Sequence, residues 1–252
     1  RDLLGVHDRP LLCTAIKPLG LSPRELAEMT YQFALGGIDL IKDDHGLANQ
    51  PFCPFQERVE RCAEAVAQAN LETGLNCIYV ANITAPADAI FDRARIAKAA
   101  GAGGLMIAPG LAGMDAMRCI ADDDSIALPI LSHPAFQGSF VTSPENGIAH
   151  YALYGQMMRL AGADAVIYPN YGGRFACTYE ECRQIVMGTQ VEMGHIRTIF
   201  PTPGGGMSLD RLSDMSALYG KEVIYLIGGG LHRYSSNLVE NARYFSQVVR
   251  RF

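Results

Sequence analysis

The sequence predicts an α/β fold, a (β/α)8 TIM barrel made by a single domain over residues 1–252. Three observations lead there. Strand-sized apolar runs alternate with helix-length amphipathic segments along the whole chain, the pattern of strand–helix–strand units with a parallel sheet. The apolar runs are nearly continuous rather than alternating, as expected of strands covered on both faces. Eight strand–helix pairs can be counted, in a length usual for a closed barrel, and no linker or change of composition divides them.

In chain order, Leu11–Lys17 reads as the first strand. Ser22-Pro23 followed by Glu25 supplies a cap, a first-turn proline and an acidic residue for a helix that ends at Gly36-Gly37. Ile38–Asp44 is the second strand. The helix over Phe55–Thr73 places Val59, Cys62, Ala63, Val66 and Ala69 at helical spacing and stops at Gly74. Cys77–Ile83 and a helix over Asp88–Ala100 follow, then Gly104–Ala108 with a helix near Met114–Ile120. Leu128–His133 leads through a long link to a helix near Ile148–Leu160. The last units are Ala165–Pro169 with a helix from Tyr179, Arg197–Phe200 with a helix near Leu209–Tyr219, and Val223–Ile227 with a helix over Asn237–Arg250.

The composition narrows the function. A net charge of -5 with both signs interspersed gives no basic footprint for nucleic acid and no membrane-attracted surface. The longest apolar runs are strand-sized and broken by Gly, Pro or charge, and no signal-peptide pattern is present, so the expectation is a cytoplasmic protein with neither nucleic acid nor membrane as partner. Seven cysteines, an odd number without Cys-x-x-Cys, indicate neither a disulfide framework nor a zinc knuckle; most read as small buried hydrophobes.

Barrels of this class carry their chemistry at the carboxyl ends of the strands. The second strand ends in Lys42-Asp43-Asp44-His45. Strand alternation sends Lys42 and Asp44 to one side and Asp43 to the other, with His45 at the end where it can swing toward the pair. His133, closing the fifth strand, is either a neutral imidazole that passes protons or bonds a substrate hydroxyl at the cavity mouth, or a histidine tied into its loop. Asn82 either bonds substrate or caps the next helix. Gly204-Gly205-Gly206 and Gly228-Gly229-Gly230 follow the seventh and eighth strands, where barrels hold phosphate on backbone N–H groups. A phosphorylated small-molecule substrate is therefore expected. His150 and His195 fall away from this face and receive no role.

Thr14-Ala15-Ile16-Lys17-Pro18 with Gly20-Leu21-Ser22, Gly36-Gly37-Ile38-Asp39 running into Lys42-Asp43-Asp44, Arg159-Leu160-Ala161-Gly162-Ala163-Asp164 and the paired glycine triplets together resemble the catalytic barrel of the RuBisCO large chain. The likeness extends over the whole chain and is greatest to the RuBisCO-like (form IV) proteins. The family's amino-terminal α+β domain is not found in the sequence, and the start at Arg1 reads as that of a fragment or processed piece.

The resemblance implies roles. Lys42 would take up CO2 as a carbamate and bind Mg2+ together with Asp44; Lys17 would exchange protons with the enediolate; Arg174 would stand where carboxylases have a loop lysine; and the protein would be a homodimer. The departures matter equally. His45 stands in the place of the third metal ligand, a glutamate, and imidazole is a poor partner for hard Mg2+. Pro134, Gln137, Ile167 and Pro203 replace carboxylase side chains, and a second lysine after Pro18 is missing. Carboxylation of ribulose bisphosphate is thus not expected, and a monophosphate is favoured. The reading chosen is an isomerase or enolase of a 5-methylthioribulose 1-phosphate-like ketose, as in methionine salvage, with Met106 or Phe136 as candidates for its sulfur end. The alternatives are a decarboxylase or hydrolase of a branched sugar-acid phosphate, a carboxylase homologue, a non-catalytic sugar-phosphate-binding barrel, and an aldolase-type barrel with a Schiff-base lysine. Adjacent Asp43 and Asp44 favour a protonated Lys42 and oppose the last.

Overall fold

Eight short strands run parallel in the computed structural model, which describes residues 1–143 and 145–251. They are Leu11–Ile16 (β1), Leu40–Asp43 (β2), Ile78–Asn82 (β3), Gly104–Ile107 (β4), Ile130–Ser132 (β5), Ala165–Pro169 (β6), Phe200–Gly204 (β7) and Ile224–Leu226 (β8). The hydrogen-bonded order β7-β6-β5-β4-β3-β2-β1-β8 is that of a nearly closed (β/α)8 TIM barrel, each strand beside its sequence neighbour. Alternation divides the side chains. Leu11, Cys13, Leu40, Ile78, Val80, Met106, Leu131, Ala165, Ile167, Ile224 and Leu226 pack in one cluster inside the barrel, with Leu4 joining them. Residues of opposite parity, such as Leu12, Ile41, Tyr79 and Tyr225, pack in a second cluster with the helices.

Local chemistry sets the helices. Helix Pro23–Leu35 starts on a capping box, with the Ser22 N–H donating to Glu25 Oε2 at 2.8 Å and the Glu25 N–H to Ser22 Oγ at 3.4 Å. Its Leu26 and Phe33 are fully buried, each contributing about 1.5–3 kcal/mol of hydrophobic stabilisation. Helix Phe55–Thr73 ends at Gly74 in the left-handed conformation, φ 69°. Helix Tyr179–Gln190 repeats the capping box with Thr178 and Glu181.

The structure corrects the sequence reading in four places. The segment expected as helix near Ile148–Leu160 is π-helical over Tyr151–Met157 before an α turn at Met158–Leu160. There Gly155 lies against Gly188 of helix Tyr179–Gln190, so closely that a Cβ on Gly155 would stand 2.5 Å from the Gly188 Cα. Two short helices, Pro109–Ala112 and Gly229–His232, follow β4 and β8. The seventh helix is a 3-10 turn at Leu209–Arg211 leading into Leu212–Tyr219.

The fourth correction concerns β7, which lies at Phe200–Gly204 rather than Arg197–Phe200. Pro201 and Pro203 disguise it, since proline lacks the N–H that a central strand needs. Phe200 N–H donates to Asp164 and the Gly204 carbonyl accepts from Asn170 N–H, so the even residues face β6 and the prolines face β8. That edge carries no ladder, and the seam of the barrel falls between β7 and β8. Among the described residues, no helix is long and apolar enough to cross a membrane.

Candidate active site

The carboxyl end of β2 divides its charges as strand parity demands. Asp43 points into the helix layer and is fully buried, accepting from Arg58 Nε at 3.2 Å, the Tyr79 hydroxyl at 2.5 Å and the Asn82 N–H at 2.9 Å. It is a structural anchor. Lys42 points into the barrel and is 3% exposed, its Nζ donating to the Asp43 carbonyl at 2.8 Å. Burial depresses the Lys42 ammonium below the ordinary lysine range, although Cys13 and Asp44 oppose the shift.

Asp44 stands one residue beyond β2, and its ion-pair partner is Lys17 from the end of β1, Nζ to Oδ2 3.0 Å. His45 Nδ1 lies 3.3 Å from Asp44 Oδ1. The His45 ring stacks on His133 from the end of β5, centroids 4.7 Å apart and planes inclined by 12°. Burial, then the charges of Lys42 and His45, bring His133 down to about 2. Its Nδ1 accepts from the Ala135 N–H at 3.1 Å, which leaves the proton of the neutral ring on Nε2. A neutral ring in this tautomer leaves Nε2–H as its free donor.

The Asn82 amide is bonded to neighbouring backbone. Nδ2 donates to the carbonyls of His45 at 3.0 Å and Leu47 at 2.8 Å, while Oδ1 accepts from Thr84 N–H at 3.2 Å. These bonds hold the loop that carries His45 in place.

The glycine triplets also divide. Gly204 belongs to the β7 ladder, paired with Pro169, and a Cβ there would lie 3.1 Å from Leu226 Cδ2, so this glycine packs the barrel. Gly205 and Gly206, at φ 82° and 95°, receive the loop after β6: Arg174 N–H donates to the Gly205 carbonyl at 2.9 Å, and a Cβ on Gly205 would stand 2.8 Å from the Phe175 ring. The Arg174 side chain is exposed, with its guanidinium 4.9 Å from the Phe175 ring centre. Gly228 and Gly229 open the short helix after β8, where first-turn N–H groups have no partner within the helix. Lys17 Cε would touch a Cβ on Gly228 at 3.4 Å, and Arg233 Nη1 a Cβ on Gly229 at 2.8 Å. Lysine, arginine and N–H groups converge there.

Two residues of this face had no assigned role. Arg233 brings its charge over Gly229. His232 Nε2 lies 2.8 Å from the Ala15 carbonyl, two residues before Lys17, with its ring edge-on to Phe33 at 4.9 Å. Their position, in the first turn after a triplet at a strand's carboxyl end, is the signal that marks them. His195 lies at the opposite rim, in a cavity of about 310 Å³ with Arg118, Arg159 and Asp164. His150 approaches Glu181 at 3.9 Å.

The Mg2+ site that the resemblance implies would draw on Lys42, Asp44 and His45. A neutral Lys42 amine is the form to which CO2 adds, so a carbamate fits this residue. The ion fits less well: Asp44 is already engaged by Lys17 and Gly46 N–H, and His45 offers nitrogen where Mg2+ takes oxygen. Among the described residues, no three His, Cys, Asp or Glu side chains cluster as metal ligands. As they stand, these residues do not make a Mg2+ site.

Residues 1–243 match the profile of the ribulose bisphosphate carboxylase large chain, catalytic domain. The chain is 36% identical over 249 residues to ribulose bisphosphate carboxylase-like protein 1 of Rhodopseudomonas palustris, covering 99% of this chain and 66% of that one. It is 37% identical over 242 residues to a 5-methylthioribulose-1-phosphate isomerase of Rhodospirillum rubrum, covering 96% and 63%. The crystal structure of a Rubisco-like protein from Rhodopseudomonas palustris superposes with a TM-score of 0.91 at 36% identity, over 100% of this chain and 67% of the other. The chain thus spans less than two thirds of the length of these two curated relatives. It belongs to the RuBisCO large-chain catalytic-domain family, among the RuBisCO-like proteins.

Proposed function

We propose that this barrel enolises and isomerises a phosphorylated ketose of the 5-methylthioribulose 1-phosphate class, moving one proton between neighbouring carbons. The observation that carries the reading is the Lys17–Asp44 pair at 3.0 Å beside buried Lys42 and neutral His133. A proton shuttle needs a base, a return acid and something to steady the enediolate. Burial brings the amine of Lys42 toward its neutral, proton-accepting form. Lys17, paired with the Asp44 carboxylate, is the group that returns the proton. The Nε2–H of His133 faces the developing oxyanion, and Gly228 and Gly229 with Arg233 receive the phosphate. The name of the Rhodospirillum rubrum relative supports the choice of substrate class.

No step here is assigned to Mg2+, because the donor set does not suit it. In this reading the enzyme works as a homodimer. Leu19, Leu111, Phe136, Phe140 and Phe175, all well exposed on the loops of the active face, supply apolar surface for a neighbour, and sedimentation tests the assembly.

The test is exchange of the substrate's carbon-bound proton in deuterated water, followed by NMR. Wild-type protein should wash deuterium into substrate and product, whereas Lys17→Met and Lys42→Met should each lose exchange and turnover by at least about a hundredfold. Turnover at the wild-type rate in either variant would overturn the assignment.

A further inference from the structure

Cys13, Cys53, Cys62 and Cys77 are buried, and Cys119 is exposed. Among the described residues, Cys177 and Cys182 are the two cysteines whose sulfurs meet, Sγ to Sγ 3.6 Å. Helix capping creates the pair. Thr178 is the N-cap of helix Tyr179–Gln190, so Cys177 precedes the cap and Cys182 lies one turn inside, the positions that a hydrophobic staple brings together. The Thr178–Glu181 capping box clamps the geometry, with 2.7 Å between Thr178 N and Glu181 Oε2. Cys177 is partly exposed and Cys182 fully buried.

Their place in the fold gives the pair a consequence. Cys177 ends the loop after β6, the loop that carries Arg174 and Phe175 onto Gly205. Cys182 lies under the start of the same loop, its sulfur 3.8 Å from the Pro169 carbonyl and 3.9 Å from Asn170 Oδ1. A bond between the sulfurs would fasten the far end of the loop to the side chain that packs beneath its near end.

We propose that Cys177 and Cys182 are a thiol–disulfide exchange site, oxidised by a low-molecular-weight disulfide of the glutathione type to a bond that pins the loop after β6. The inference does not depend on the isomerase reading. Cys177 Sγ, after losing its proton to solvent, attacks one sulfur of the oxidant and releases one small thiolate, leaving a mixed disulfide. Cys182 Sγ then attacks Cys177 Sγ, gives up its proton and expels the second small thiolate. In sum, two protein thiols and one oxidant disulfide become one protein disulfide and two small thiols, two electrons passing to the oxidant. Closing the gap to a disulfide bond asks for about 1.5 Å of sulfur movement.

The reduced chain carrying Cys119→Ser is treated with oxidised glutathione at mildly alkaline pH, alkylated and digested with trypsin. Cleavage after Arg174 and Arg183 puts both cysteines in the peptide Phe175–Arg183. The expected peptide is two hydrogens lighter than its reduced form and takes no alkyl group, and amide exchange across residues 170–177 slows roughly tenfold. Cys182→Ser should stop at a glutathione adduct on Cys177. Recovery of a doubly alkylated peptide, of a stable adduct on Cys177 in the presence of Cys182, or of unchanged loop exchange would overturn the proposal.

Discussion

Lys17 Nζ and Asp44 Oδ2 lie 3.0 Å apart, an ion pair that ties the exit of β1 to the exit of β2 directly above Lys42. Burial pushes the Asp44 carboxyl up, but the Gly46 N–H and the Lys17 ammonium outweigh it and hold the group below the usual aspartate range. Removing the ammonium in Lys17→Met should raise the Asp44 pKa, shifting its carboxyl signal to higher pH in an NMR titration as well as abolishing proton exchange.

His133 should make the fold acid-sensitive. Its folded pKa, about 2, is below the unfolded value near 6.5, so between these limits the unfolded chain binds a proton that the folded chain refuses. Stability is full above the unfolded value and declines as pH falls. At pH about 4.5 this one group should cost about 3 kcal/mol. Urea denaturation of His133→Gln should show a correspondingly flatter profile between about pH 6.5 and 4.5 than wild type.

Much of this face was legible because strand parity is a strict rule. Lys42 and Asp43 differ by one position, and the structure gives one to the cavity and the other to Arg58 and Tyr79. The glycine triplets were visible as features, but Gly204 differs from Gly205 only in where β7 ends, and the prolines that hid β7 moved that boundary. Asn82 stands at a strand end where a ligand or a cap would stand; that it also holds a loop shows only in its three hydrogen bonds. The Lys17–Asp44 pair joins separate strands, so sequence spacing gives no hint of it.

Asp43→Asn should be severely destabilising. Arg58, wholly buried, would lose its counter-charge, and breaking a buried pair from one side costs about 3–5 kcal/mol. Chemical denaturation should show this loss, with Asp43→Asn/Arg58→Met recovering part of it.

Lys42→Met should act in the opposite direction on stability. The buried ammonium is disfavoured where it stands, and an apolar side chain of similar length should stabilise the fold by about 1 kcal/mol while turnover is lost. Thermal melts and the exchange assay together test this trade.

His232 should behave as a positioning residue. Its Nε2 bond to the Ala15 carbonyl fixes β1 just before Lys17, so His232→Ala should lower kcat about tenfold with little change in KM, and His232→Gln, which can still donate, should restore part of it. Equal loss in both variants would indicate packing alone.

The seam between β7 and β8 sets how the barrel responds to its ligand. The two edge strands of the sheet run into Gly205-Gly206 on one side and Gly228-Gly229 on the other. A phosphate received at Gly228-Gly229 sits beside the one boundary that strand hydrogen bonds leave open. Occupancy should therefore tighten the whole cylinder, slowing amide exchange in β8 and β1 far from the anion itself, and the proline pair in β7 makes the barrel's rigidity a property of the complex.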